Sequence, residues 1–98
     1  NGLYAASKGA LNSFSKVLGL ELLPLKGRVN CIQPAFVETD MLKKYTLQEE
    51  IEKIKQNYPL GRFARPEEVA YAAIYFLSDA SQWITGNFFI MDGGFTLR

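Results

Sequence analysis

The sequence predicts an α/β protein, part of a parallel sheet with helices packed on it. Three observations predict this class. Residues 4–23 carry apolar side chains at helical spacing. Two short apolar-rich runs, 28–32 and 87–91, are bounded by Gly and Pro as strands are. Helical segments precede the first run and fill the stretch between the two. The order is helix, strand, surface helix, helix, strand, an alternation that opens on a helix. Two short strands cannot cover helices that are apolar on two sides, so the expected sheet is larger than the part this chain supplies.

In the first helix Ala10, Leu11, Phe14, Val17, Leu18 and Leu22 follow the i, i+3, i+4, i+7 pattern and are the expected buried stripe. The other side carries Ala5, Ala6, Gly9, Ser13, Leu20 and Leu23, which predicts cover on both faces. Small residues such as Ala5 and Gly9 would admit a close neighbouring helix. Tyr4 and Lys8 lie one turn apart at the edge of the stripe, facing a cleft rather than the centre of the core. An ammonium that close favours phenolate over phenol, and a tyrosine tuned that way exchanges a proton with a carbonyl or alcohol oxygen near neutral pH. The other tyrosines lack this neighbour, being followed at i+4 by Glu49, Arg62, Tyr75 and Asp79. On spacing alone the pair is a weak signal, and its context decides.

Pro24 to Gly27 end the helix, Pro24 by its missing N–H and Gly27 as a turn residue. The run 28–32 is the first strand, closed by Pro34. Thr46 and Glu49 read as a capping box for a helix reaching Asn57, with Ile51 and Ile54 as a thin apolar edge. So narrow a stripe predicts loose docking and a mobile surface segment between residues 40 and 58. The next helix starts at Arg65-Pro66-Glu67-Glu68, with proline in the first turn and acids at the positive end of the dipole. Its expected buried stripe is Val69, Ala70, Ala73, Phe76 and Leu77. The run 87–91 is apolar on both faces and closes at Gly93-Gly94. No repeat, low-complexity tract or linker interrupts the 98 residues.

Composition sets bounds. The chain is 48% hydrophobic and 21% charged, which reads as globular rather than disordered. A net charge of +1 gives no reason to expect nucleic acid or an acidic membrane as partner. No apolar run approaches a membrane span and no signal-peptide pattern opens the chain. Without histidine, and with Cys31 alone, neither a zinc site nor a His-based triad has its parts. The lone thiol also points to a reducing, cytoplasmic location. Residue 1 is Asn, so the chain is expected to be a processed, excised or partly recorded piece, or one that has lost its initiator methionine.

These residues, taken in order, resemble the classical short-chain dehydrogenases/reductases over essentially the whole chain, as the C-terminal half of that family's single domain. Tyr4-Ala5-Ala6-Ser7-Lys8 is similar to the family's Tyr-x-x-x-Lys. Arg28-Val29-Asn30-Cys31-Ile32-Gln33-Pro34 is similar to the strand that follows it, and Val37-Glu38-Thr39-Asp40-Met41 to its Val-x-Thr segment. Pro59 to Arg62 with Pro66 to Val69 resembles the stretch after the substrate lid, and Ile84-Thr85-Gly86 through Gly94 the last strand. The wording of residues 38–41 is most similar to 3-oxoacyl-(acyl carrier protein) reductases and related carbonyl reductases.

The resemblance implies the C-terminal half of a Rossmann-type doubly wound parallel sheet spanning residues 1–98. It also implies hydride transfer between NAD or NADP (NADP the favoured of the two) and a small-molecule carbonyl or alcohol. Tyr4 would be the general acid of reduction and the base of oxidation. Lys8 would ease proton loss from Tyr4 and hold the nicotinamide ribose. Pro34, Val37 and Thr39 would contact the cofactor, Val37 through backbone groups, and Thr39 has the alternative role of capping a helix at Asp40. No metal is implied. The family's Gly-rich phosphate turn, carbonyl-polarising serine and relay asparagine have no match here, so the 98 residues alone are expected to be inactive and to need the missing N-terminal half of the same fold. A homo-oligomer is expected. Where relatives carry Pro-Gly, this chain has Pro34-Ala35, which is expected to alter the nicotinamide pocket. The reading from another class is a non-catalytic oligomerisation module derived from the family, which would tolerate Phe at position 4.

Overall fold

The computed structural model describes residues 1–97. In order its elements are α1 (Gly2–Leu22), β1 (Cys31–Pro34), α2 (Asp40–Tyr45), α3 (Gln48–Lys55), α4 (Pro66–Leu77) and β2 (Phe88–Met91), with single 3-10 turns at Leu23–Leu25, Asp79–Ser81 and Phe95–Leu97. β1 and β2 pair directly. Cys31 donates to the Asn87 carbonyl and Ala35 to that of Met91, so both strands advance together and run parallel. Among the described residues no helix is long and apolar enough to cross a membrane. The chain divides into two compact units, one of Asn1–Cys31 with Tyr75–Phe89, the other of Ile32–Ile74 with the residues from Ile90 on.

In the first unit, α1 buries a different face from the one its apolar spacing predicts. Ser15 and Gly19 are its buried residues, with Leu18 and Leu22 half-buried beside them, whereas Leu11, Phe14 and Val17 stand exposed. The segment leading into β1 packs on this face. A Cβ at Gly19 would lie 3.9 Å from that of Val29, and Ser15 satisfies its hydroxyl on the Leu11 carbonyl at 2.8 Å. The opposite small-residue face is open too, since Gly9 has nothing near it. At the end of α1 it is Lys26, not Gly27, that turns left-handed, at φ 58°. Gly27 is required for space instead, because a Cβ there would sit 2.9 Å from the Leu22 Cβ.

The first strand starts three residues later than its pattern predicts, and the reason is side-chain chemistry. Arg28 donates to the carbonyls of Phe76 (3.0 Å) and Ser78 (3.3 Å), satisfying orphan C=O groups at the end of α4, and to that of Ile84 (3.0 Å). Asn30 donates to the Ile84 carbonyl and accepts from the Asn87 N–H. Ser81, fully buried, donates to the carbonyls of Phe76 and Ser78. Phe76 packs edge-on against Phe89 at 5.3 Å. Of the stripe expected on α4, Phe76 is buried, while Leu77 is 85% exposed and Ala70 is exposed as well.

The second unit has its own core, Ile51, Tyr58 and Phe63, with Ala35, Leu42 and Ile54 against it. The thin stripe of the surface segment is therefore a real anchor: Ile51 is 6% exposed, which corrects the expectation of loose docking along all of residues 40–58. The segment is also two helices rather than one. The Thr46 capping box does not form; Thr46 closes α2, and α3 starts after Leu47 with no side-chain cap. Asp92 closes the C-terminal turn by accepting from Gly94 N–H, Thr96 N–H and the Thr96 hydroxyl, and these bonds, the hydroxyl first, hold its carboxyl below the usual range.

Candidate active site

Tyr4 and Lys8 lie in the first unit; Pro34, Val37 and Thr39 lie in the second. α1 brings the first two together. Its N-terminus is capped by Asn1, whose side chain accepts from the Tyr4 N–H at 3.2 Å, and no residue of the first turn is acidic. Lys8 Nζ stands over the Tyr4 ring, 5.4 Å from its centre, within cation–π range. Tyr4 is 64% exposed. Ser7, between them, spends its hydroxyl on the Tyr4 carbonyl at 2.7 Å.

In the second unit Pro34 ends β1 and is exposed. Ala35 follows without a left-handed backbone; its N–H bonds the Met91 carbonyl at 2.9 Å and its side chain packs on the Ile51–Tyr58–Phe63 core. The backbone of Ala35 therefore does not need the left-handed conformation that glycine would supply. Val37 forms an isolated parallel bridge with Ala64. That bridge uses the Phe36 carbonyl (3.1 Å, from Ala64 N–H) and the Glu38 N–H (2.8 Å, to the Ala64 carbonyl), leaving Val37's own N–H and C=O outside it. Thr39 caps α2, its Oγ accepting from the Leu42 N–H at 3.2 Å, so the helix-capping role weighed from sequence is present. An accepting hydroxyl still has its own proton to donate.

Sequence reasoning missed two sets of residues. Arg28 and Asn30 read as strand residues but serve as hydrogen-bonding pegs; a charged and an amide side chain at the head of an otherwise apolar strand was the available signal. Arg62 enters the sequence reading only as part of the stretch after the lid, and Glu68 as a first-turn acid of its helix. They form a bidentate pair at 2.9 and 2.7 Å, and Glu68 also accepts from the Arg65 N–H at 2.8 Å. The Arg62 bond and then the Arg65 N–H pull the Glu68 carboxyl down to about 2. No cluster of metal-ligating side chains occurs among the described residues.

Comparison with known proteins places this geometry. Residues 1–96 match the family described as enoyl-(acyl carrier protein) reductase. The chain is 42% identical over 95 residues to an NAD-dependent glycerol dehydrogenase of Listeria innocua, covering 97% of this chain and 37% of that protein. It is 46% identical over 95 residues to the 3-oxoacyl-(acyl-carrier-protein) reductase of Homo sapiens, covering 97% and 38%. A crystal structure of a short chain dehydrogenase family protein from Francisella tularensis superposes with a TM-score of 0.88 at 35% identity, over 97% of this chain and 43% of that one. The chain therefore belongs to the short-chain dehydrogenase/reductase family of oxidoreductases and has its α/β fold. It spans a little over a third of the length of the curated relatives it matches.

Proposed function

We propose that this chain supplies the proton-transfer pair and the nicotinamide-side contacts of an NAD(P)-dependent oxidoreductase that interconverts a small carbonyl compound and its alcohol. The observation that carries this reading is the Lys8 ammonium poised over an exposed Tyr4 ring on a capped helix. The residues present also fit a nicotinamide cofactor. Val37 holds a backbone N–H and C=O outside its bridge, complementary to a carboxamide, and Thr39 retains a hydroxyl proton beyond its cap.

A bound dihydronicotinamide supplies a hydride to the carbonyl carbon. Tyr4 does the rest of the bond-making on this chain: its Oη gives a proton to the carbonyl oxygen, forming the alcohol O–H as the phenol O–H breaks. The Lys8 ammonium offsets the negative charge Tyr4 then carries and holds the ribose hydroxyls. Oxidation runs the same proton back. Pro34, exposed at the end of β1, Val37 through its backbone groups and Thr39 through its hydroxyl would contact the cofactor. The wording of residues 38–41 favours a 3-oxoacyl thioester or similar ketone as substrate, in keeping with the name of the human relative.

A second reading, a module that only mediates assembly, has one observation in its favour: Leu11, Phe14 and Val17 on α1 are exposed in this chain, and apolar surface of that kind marks a contact with another subunit or with more of the same fold. The two readings part at Tyr4. In the intact protein, Tyr4→Phe is expected to lower turnover by about 10²–10⁴-fold while NADH or NADPH binding persists. A rate within a few-fold of wild type would remove the catalytic assignment and leave the assembly role.

A further inference from the structure

The backbone of the Val37–Thr39 run is gripped by a second short run, and that run is pinned by an ion pair outside it. Ala64 bonds the Phe36 carbonyl and the Glu38 N–H on either side of Val37. Phe63, 1% exposed, stacks on Phe36 with ring centres 5.3 Å apart. Immediately before Phe63, Arg62 holds the Phe63 carbonyl at 3.1 Å and forks onto both Glu68 oxygens. Immediately after Ala64, Arg65 donates its N–H to the same carboxylate. Glu68 thus clasps both ends of Phe63–Ala64, and it stands in the first turn of the twelve-residue helix α4, a rigid mount.

We propose that Arg62 and Glu68 are positioning residues for the cofactor, acting through Phe63 and Ala64 to hold the Val37–Thr39 backbone in place; this rests on the reading of that run as the nicotinamide-contacting segment. A solvent-exposed ion pair contributes little to stability by itself. Here the fork geometry and the added backbone bond restrict where two residues can stand. Binding geometry is sensitive to displacements too small to unfold a core. Phe63 is buried by its own packing with Ile51, Tyr58 and Phe36, so loss of the ion pair is expected to loosen the bridge to Val37 before it unfolds the unit.

The test compares Glu68→Ala, Arg62→Ala and Glu68→Gln in the intact protein, the last keeping an acceptor for the Arg65 N–H. Amide exchange by NMR reads the bridge, and fluorescence titration with NADH and NADPH reads the site. In the Ala variants, exchange at the Glu38 and Ala64 amides is expected to accelerate about tenfold while the amides of α1 hold their rates. The dinucleotide Kd is expected to rise about five- to tenfold. Glu68→Gln should fall between, and it carries the comparison if an Ala variant does not fold. Unmoved Glu38 and Ala64 amides, or faster amides with an unmoved Kd, overturn the positioning role while leaving the functional reading intact. An intact wild-type protein that binds neither dinucleotide overturns the functional reading, and the positioning role with it, before any variant is compared.

Discussion

Lys8 Nζ lies 5.4 Å from the centre of the Tyr4 ring, one helical turn along α1, so the cation and the phenol act on each other and on whatever occupies the space beside them. Residues coupled this closely do not make additive contributions. Lys8→Met is expected to lower both turnover and dinucleotide affinity, and the Tyr4→Phe/Lys8→Met double variant to be little slower than Tyr4→Phe alone. Steady-state kinetics on the four proteins checks this; a double variant slowed by the product of the single effects would mean the two act separately.

Thr39 has one demonstrated job and one proposed job, and a single substitution separates them. Asn caps a helix as well as Thr does, whereas Thr39→Ala loses the bond to Leu42 and is expected to cost about 1 kcal/mol. Thr39→Asn should therefore keep the melting temperature of wild type while weakening NAD(P)H binding. If Asn leaves both unchanged, Thr39 is a cap only.

Glu68 makes a small, acid-sensitive contribution to stability. Its carboxyl titrates at about 2 in the folded chain against an ordinary 4.5, chiefly through Arg62. A depressed folded value stabilises the fold above the ordinary one, so this contribution is present at neutral pH, declines as pH falls below about 4.5 and is lost by about 2. Asp92, held low by Thr96, adds in the same direction. Denaturant midpoints of wild type and Glu68→Gln are expected to differ at pH 7 and to converge through that window. A constant gap down to pH 2 would show that the pair does not stabilise the fold through its charge.

The segment from α2 to α3 is expected to exchange unevenly. α2 has no buried residue, whereas α3 sinks Ile51 into the Tyr58–Phe63 core. Hydrogen exchange without ligand should be faster in Asp40–Tyr45 than in Gln48–Lys55. Ile51→Ala is expected to cost about 2–4 kcal/mol and to equalise the two rates.

Gly27→Ala tests the turn that leads into β1. The new methyl would meet the Leu22 Cβ at 2.9 Å with backbone close behind, so a loss of about 1–3 kcal/mol is expected in thermal unfolding. A neutral effect would mean that the end of α1 shifts freely.

The amino-acid sequence by itself determined the alternation of helices and strands, though not the division of the surface segment into α2 and α3, together with the Pro66 start of α4 and the pairing of Tyr4 with Lys8. These are local matters: a 3.6-residue period, a missing proline N–H and a one-turn spacing act over a few residues, and nothing distant has to be known. Only the tertiary structure decided which face of α1 is buried, because both faces are apolar enough and the choice falls to the one that Val29 can approach over Ser15 and Gly19. It decided equally that Thr39 rather than Thr46 caps a helix, that Ile51 anchors a core with Phe63 twelve residues on, and that Arg28 leaves its strand for carbonyls some fifty residues away. A buried polar group takes whichever partner the fold brings within reach, and periodicity along the chain carries no record of that partner.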